Sequence, residues 1–128
     1  MLFRSTILGF RAPQTYPRDV IVHPLLNDSQ MSAVRSIISA EDIAIIHGPP
    51  GTGKTTTLVH AIQELASRDK KVMVCAPSNA ATDHIALALH AIGLRVVRIG
   101  NLMKMHEDTT DLSIDVRIQS DQIGRAHV

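Results

Sequence analysis

At 128 residues the chain is long enough for one ordinary domain and too short for two, and 45% hydrophobic against 20% charged residues excludes a disordered or low-complexity polymer. A formal net charge of +1 gives no general basic field, so any affinity for nucleic acid has to come from a local site. The single cysteine, Cys75, excludes an internal disulfide and a multi-cysteine metal site; with no signal-peptide pattern and no run near ~20 apolar residues, the reading is a cytoplasmic chain with no membrane association.

Residues 1–24 hold Pro13, Pro17 and Pro24, irregular polarity and one short strand-like run at Val20-Ile21-Val22, a pattern that predicts a linker leading into a domain. The aromatic residues Phe3, Phe10 and Tyr16 all lie in this stretch. From residue 17 onward no aromatic stacking platform for bases is available, so a grip on a single strand would have to be polar and directed at phosphates.

A helix is predicted after Asn27-Asp28-Ser29-Gln30, with Asn27 as N-cap and Met31, Val34, Ile37 and Ile38 at helical spacing. Gln30 has two readings. Its amide completes a capping box by returning to the Asn27 backbone N–H, or it reads adenine, because one planar amide offers a donor and an acceptor that match N7 and N6. Glu41 and Asp42 then read as solvated loop charges.

The apolar, β-branched run 43–46 precedes Gly48-Pro49-Pro50-Gly51-Thr52-Gly53-Lys54-Thr55, and Leu58, Ile62 and Leu65 follow at helical spacing. The eight residues fit G-x-x-x-x-G-K-[ST], the phosphate-cradling P-loop, in the strand–loop–helix setting that motif requires. Gly48, Gly51 and Gly53 let the backbone turn several N–H groups onto a polyphosphate, and the helix start aims further N–H groups and its positive dipole end at the same anion. Lys54 supplies a mobile charge for the β- and γ-phosphates, Thr55 is the expected Mg²⁺ ligand, and Thr56 follows on the same helix start. Pro49 and Pro50 stiffen the way into the loop. The plain alternative is a Gly/Pro turn between a strand and a helix.

Ser67 to Lys71 is a polar connection, and 72–76 is a continuous apolar run of the kind buried parallel strands use. In an open α/β sheet its C-terminal end is the ligand-binding edge. Ser78, Asn79 and Thr82 stand there, either capping the helix that carries Ile85, Leu89 and Ile92 and closes at Gly93, or holding phosphates of a nucleic-acid strand. Residues 94–99 form a third strand candidate, in which Arg98 is a phosphate contact or a surface ion-pair partner. Met103 and Met105 read as packing residues, and Glu107 and Asp108 as loop charges. None of the seven histidines stands in a metal-binding arrangement.

Three stretches taken together, Asn27–Gln30, Ile46–Thr55 and Cys75–Asp83, resemble superfamily one helicases of the Upf-like and Smubp-like branch over residues 25–115. The resemblance implies a P-loop NTPase of α/β class with a RecA-like parallel sheet and flanking helices, ATP and Mg²⁺ as cofactors, and single-stranded DNA or RNA as partner. It implies that Gln30 reads adenine, that Lys54 and Thr55 serve phosphate and Mg²⁺, and that Ser78 and Asn79 lie in a motif contacting the nucleic-acid backbone.

Hydrolysis at such a site needs a second acid pair at a strand end, and no apolar strand here ends in Asp-Glu. The expectation is therefore a partial first motor domain over 25–122 that binds ATP without turning it over. A second RecA-like domain, which the family pairs with the first, would lie outside this chain. Residues 123–128 continue no structural pattern, resemble a translated sequencing adapter and are expected to be non-native. The competing readings are an AAA-type ATPase that remodels proteins and a non-catalytic nucleotide-binding module.

Overall fold

The computed structural model describes residues 7–9, 11–20 and 22–126; Phe3, Phe10, Ile21 and the last two residues of the chain, singled out above, lie outside them. The chain divides into two compact units, Met1–Lys71 and Val72–Val128.

The first unit is built on α1 (Asp28–Ser39) and α2 (Lys54–Ser67). The capping box that starts α1 is formed in both directions, with Gln30 N donating to Asn27 Oδ1 at 2.9 Å and Asn27 N donating to Gln30 Oε1 at 3.0 Å. Met31, Val34 and Ile38, three and four residues apart, fall on the buried face of α1. Val34 and Ile38 pack on Ala61 of α2, and Val20, Leu26, Ile37 and Leu65 close around that cluster. After α2 the chain turns at Asp69, whose φ of 58° is in the left-handed region that Asp tolerates better than most residues.

The leading segment is tied down. Arg11 Nη2 donates to both carboxylate oxygens of Asp42 at 2.8 and 2.9 Å, Arg18 pairs with Glu41, and Thr15 forms an antiparallel bridge with Ala40. Glu41 and Asp42 are therefore anchors for residues 11–18 and not merely solvated charges. Arg68, near the end of α2, donates to Glu64 one turn back and to the Asp19 carbonyl.

The second unit holds α3 (Asn79–Ala91), 3-10 turns at Leu102–Lys104 and Glu107–Leu112, and α4 (Ile114–Ala126). Ser78 caps α3 and Gly93 follows it at φ 87°, as the sequence predicts. Arg98 and Ser113 form a parallel bridge, in which Arg98 N donates to the Leu112 carbonyl at 2.7 Å and Ile114 N to the Arg98 carbonyl at 3.1 Å.

The described residues differ from the expectations in several places. The runs 43–46, 72–76 and 94–99 are in no strand among the described residues. Ile45 and Met73 are each 88% exposed and Ile99 is 71% exposed. β-branched, apolar composition makes a segment suited to a sheet, but only a neighbouring backbone completes the ladder. The only strand-type contacts among the described residues are the two isolated bridges.

Met103, expected to pack, is 92% exposed, whereas Met105 is half-buried beside Gly100. Leu112 and Ser113 are buried. The helix that follows them was not foreseen and continues through Ala126, into the segment expected to hold no structural pattern. Its start is marked by Ser113 Oγ, which accepts from Asp115 N at 3.2 Å.

Candidate functional site

The P-loop of the first unit ends on Gly53, the N-cap of α2, with φ 74° and ψ 35°. Gly51 has φ 79°. Both values lie in the left-handed region that a Cβ penalises, so two of the loop's glycines are there for backbone reasons. Because Gly53 has no side chain, the first N–H groups of α2 carry no side-chain cap and keep the anion-attracting character of a helix start.

The other loop residues are placed by short polar contacts. Lys54 Nζ donates to the carbonyls of Gly48 and Pro49 at 2.7 and 3.0 Å, and Thr52 Oγ1 donates to the Pro49 carbonyl at 2.7 Å. A Cβ built on Gly48 would stand 2.8 Å from Thr52 Oγ1 and 3.1 Å from Lys54 Cγ, so the loop closes on itself only with glycine there. Pro50 and Thr56 are exposed and Thr55 is half-buried on the first turn of α2. Thr57, not singled out in the sequence, is buried and binds its hydroxyl to the Gly53 carbonyl at 3.0 Å. A cavity of about 710 Å³ opens beside the loop, lined among others by Gln30, Ile37, His47, Lys54 and Leu58. Its size is within the range of small-molecule sites.

Gln30 belongs to this cavity as well as to the cap of α1. Its Nε2 donates to the Thr52 carbonyl at 3.2 Å while its Oε1 accepts from Asn27 N. An amide oxygen has two lone pairs and an amide nitrogen two hydrogens, so these contacts fix which end of the amide is which and leave one acceptor and one donor site over. The two readings of Gln30 are therefore compatible: the cap orients an amide that still carries the pair of groups adenine requires. A Cβ on Gly53 would collide with Gln30 Nε2, which adds a second reason for glycine at that position.

His23 and His60 are the histidines with a shared contact, Nε2 to Nε2 at 3.1 Å. Leu25 N donates to His23 Nδ1, so His23 Nε2 carries the proton and donates to His60, whose Nδ1 donates to the Thr56 carbonyl at 2.7 Å. Among the described residues no group of three or more His, Cys, Asp or Glu is arranged to hold a metal ion.

In the second unit Ser78 Oγ accepts from Ala81 N at 3.2 Å and Thr82 Oγ1 donates to the Ser78 carbonyl at 3.0 Å. Both hydroxyls are thus engaged at the start of α3. Asn79, exposed on the first turn, accepts from Arg98 Nη2 at 3.2 Å through Oδ1. Arg98 is neither a surface ion-pair partner nor free for a phosphate: it is buried, and its Nε donates to Asp83 Oδ1 at 2.7 Å. Asp83 Oδ2 accepts from His106 N at 2.9 Å. Burial favours the neutral form of this carboxyl, but the Arg98 and His106 hydrogen bonds, the Arg98 charge and the Thr109 hydroxyl outweigh it and hold Asp83 below its ordinary 3.8. The pair was not predicted from sequence because Asp83 and Arg98 are separated by a helix and a turn, and no local spacing marks such a partner.

A family model described as an AAA domain matches residues 25–126. Relatives include the DNA polymerase alpha-associated DNA helicase A of Schizosaccharomyces pombe, 45% identical over 71% of this chain and 14% of its own length. The DNA-binding protein SMUBP-2 of Mesocricetus auratus is 40% identical over 87% of this chain and 12% of its own. The ATP-dependent helicase upf1 of Schizosaccharomyces pombe is 43% identical over 80% of this chain and 12% of its own. The chain thus spans about an eighth of the length of the relatives it matches. With the family model covering residues 25–126, and so the loop and the helices on either side of it, the chain belongs to the AAA domain family of P-loop NTPases, in the company of superfamily one helicases of the Upf-like and Smubp-like branch.

Proposed function

We propose that this chain is the ATP-binding segment of an ATP-dependent DNA or RNA helicase or translocase, in which hydrolysis drives movement along a single-stranded tract. The observation that carries this reading is the P-loop with Gln30 tethered to it, since the loop and the Gln30 amide line one cavity, as a phosphate cradle and an adenine reader would have to. Gly48, Pro49, Pro50, Gly51, Thr52 and Gly53 would wrap the polyphosphate, with Thr56 beside them on the first turn of α2. Lys54 would leave the carbonyls it now binds to meet the β- and γ-phosphates, and the Thr55 hydroxyl would hold Mg²⁺. A bound Mg²⁺ neutralises phosphate charge; the chain's own part is to grip and orient the nucleotide.

Residues 25–122 are on this reading part of a first RecA-like domain, reached by a linker over 1–24. The exposed runs 43–46, 72–76 and 94–99 would be strands of its parallel sheet, completed by partners from the longer protein. That protein would also supply the acid pair for hydrolysis and the second RecA-like domain, and would work in the cytoplasm. Asn79, with Ser78 and Thr82 shaping the turn, would meet the nucleic-acid backbone.

The test is ATP turnover by the full-length protein with and without single-stranded DNA or RNA. Stimulation of at least about tenfold, the scale of one strong transition-state contact, is expected. A rate indifferent to nucleic acid would favour a protein-remodelling ATPase instead.

A further inference from the structure

The start of α3 presents an amide whose orientation is set from inside the second unit. Asn79 Oδ1 is taken by Arg98 Nη2 at 3.2 Å. Arg98 cannot yield that contact by rotating, because its Nε is held by Asp83 at 2.7 Å and its Nη1 by the Ile99 carbonyl. Asp83 is fixed in turn by His106 N at 2.9 Å. Both side chains of the ion pair are only 6% exposed, so the guanidinium's rigid fork is locked in place. An amide with its oxygen facing inward has its NH₂ facing out, and Asn79 itself is exposed.

We propose that Arg98 is a positioning residue for nucleic-acid binding: it holds Asn79 so that the outward-facing group is the NH₂, which donates to phosphate oxygens and disfavours other donors. This rests on the reading of Asn79 as a backbone contact given above. The consequence is a contact indifferent to base sequence, since phosphate oxygens offer acceptors at every nucleotide. It also explains why an arginine is buried beside a residue of an exposed helix start: its charge is balanced by Asp83, and its remaining Nη2 is spent on orienting the amide.

The experiment measures binding of a fluorescein-labelled poly(dT) 20-mer and its poly(U) counterpart by anisotropy. It uses the wild-type chain, Asn79→Ala, Arg98→Lys, the double variant and Asn79→Asp, each with a melting curve. Asn79→Ala is expected to weaken binding roughly tenfold, the scale of a hydrogen bond to a charged group. Arg98→Lys keeps the charge opposite Asp83 but loses the fork, and is expected to weaken binding by a similar factor. The double variant should then be no more than about twofold worse than either, because the two act as one unit.

Asn79→Asp keeps an oxygen for Arg98 and so should melt no lower than wild type. It turns an acceptor outward, so it should bind more weakly than Asn79→Ala by about threefold or more. This variant decides the matter even where Arg98→Lys folds poorly. Additive losses for Asn79→Ala and Arg98→Lys, or Asn79→Asp binding as well as wild type, would overturn the positioning role while leaving Asn79 as a contact. Absent binding by the wild-type chain, or an unchanged affinity in Asn79→Ala, would instead overturn the underlying reading of this helix start.

Discussion

At the scale of single residues, Gly53 carries more constraint than its place in a motif suggests. Its φ of 74° excludes an ordinary side chain, and a Cβ would also strike Gln30 Nε2. Gly53→Ala is therefore expected to cost about 1–2 kcal/mol from the backbone alone, and to push Gln30 off the Thr52 carbonyl. A melting temperature equal to wild type, or an unchanged Gln30 side-chain amide signal by NMR, would contradict this.

Asp83 is the other residue with a sharp consequence. Its folded carboxyl titrates below its ordinary 3.8, so the stability it contributes is fully present above that value and is lost as pH falls through the lower folded one. The melting temperature of the wild-type chain should accordingly fall more steeply between about pH 5 and about pH 2 than that of Asp83→Asn. The slope is the readout, because Asp83→Asn also leaves a buried guanidinium without its counter-charge and lowers stability at every pH. Parallel pH profiles would show that the ion pair does not govern this range.

At the scale of elements, α1, α2 and α3 are legible in the sequence, while α4 and the partners of the strand-like runs are not. Asn27 and Gln30 announce α1 through the chemistry of their own backbone neighbours, and Ser78 and Gly93 bracket α3 in the same way. Such signals are local, so the sequence carries them whole. The runs around Ile45, Met73 and Val97 carry only half of a strand's requirement, because the other half is a partner backbone distant in sequence. The Arg98–Asp83 pair and the anchoring of Arg11 on Asp42 escaped prediction for the same reason: their partners are 15 and 31 residues away. In the candidate site, the P-loop residues and Gln30 were readable, but the contact between Gln30 and Thr52, which joins α1 to the loop, was not.

That joint is testable. Gln30→Ala removes one half of a capping box and is expected to destabilise the chain by roughly 0.5–1 kcal/mol. It should also abolish preference for adenine over guanine nucleotides while leaving triphosphate binding in place. A variant that keeps its adenine preference would confine Gln30 to the cap.

At the scale of the whole molecule, Ile45, Ile46, Val72, Met73, Val97 and Ile99 of the runs 43–46, 72–76 and 94–99 are exposed, with Ile45, Met73 and Ile99 the most open. Contiguous exposed apolar segments of high β-propensity favour association. The chain by itself should bind an environment-sensitive dye such as ANS strongly and scatter light increasingly with concentration. A monomer with a sharp two-state melt and no dye binding would contradict the view that these runs await sheet partners. No helix among the described residues is long and apolar enough to cross a membrane.

If the loop from Gly48 to Thr55 holds the phosphates of ATP, equilibrium binding of a fluorescent ATP analogue with Mg²⁺ will distinguish the wild-type chain from Lys54→Ala. Saturable binding is expected that weakens roughly ten- to a hundredfold when the ammonium is removed, the scale of a charge-assisted contact, and that unlabelled ATP competes away. Equal affinity in the two proteins, or no saturable binding by the wild-type chain, would contradict it.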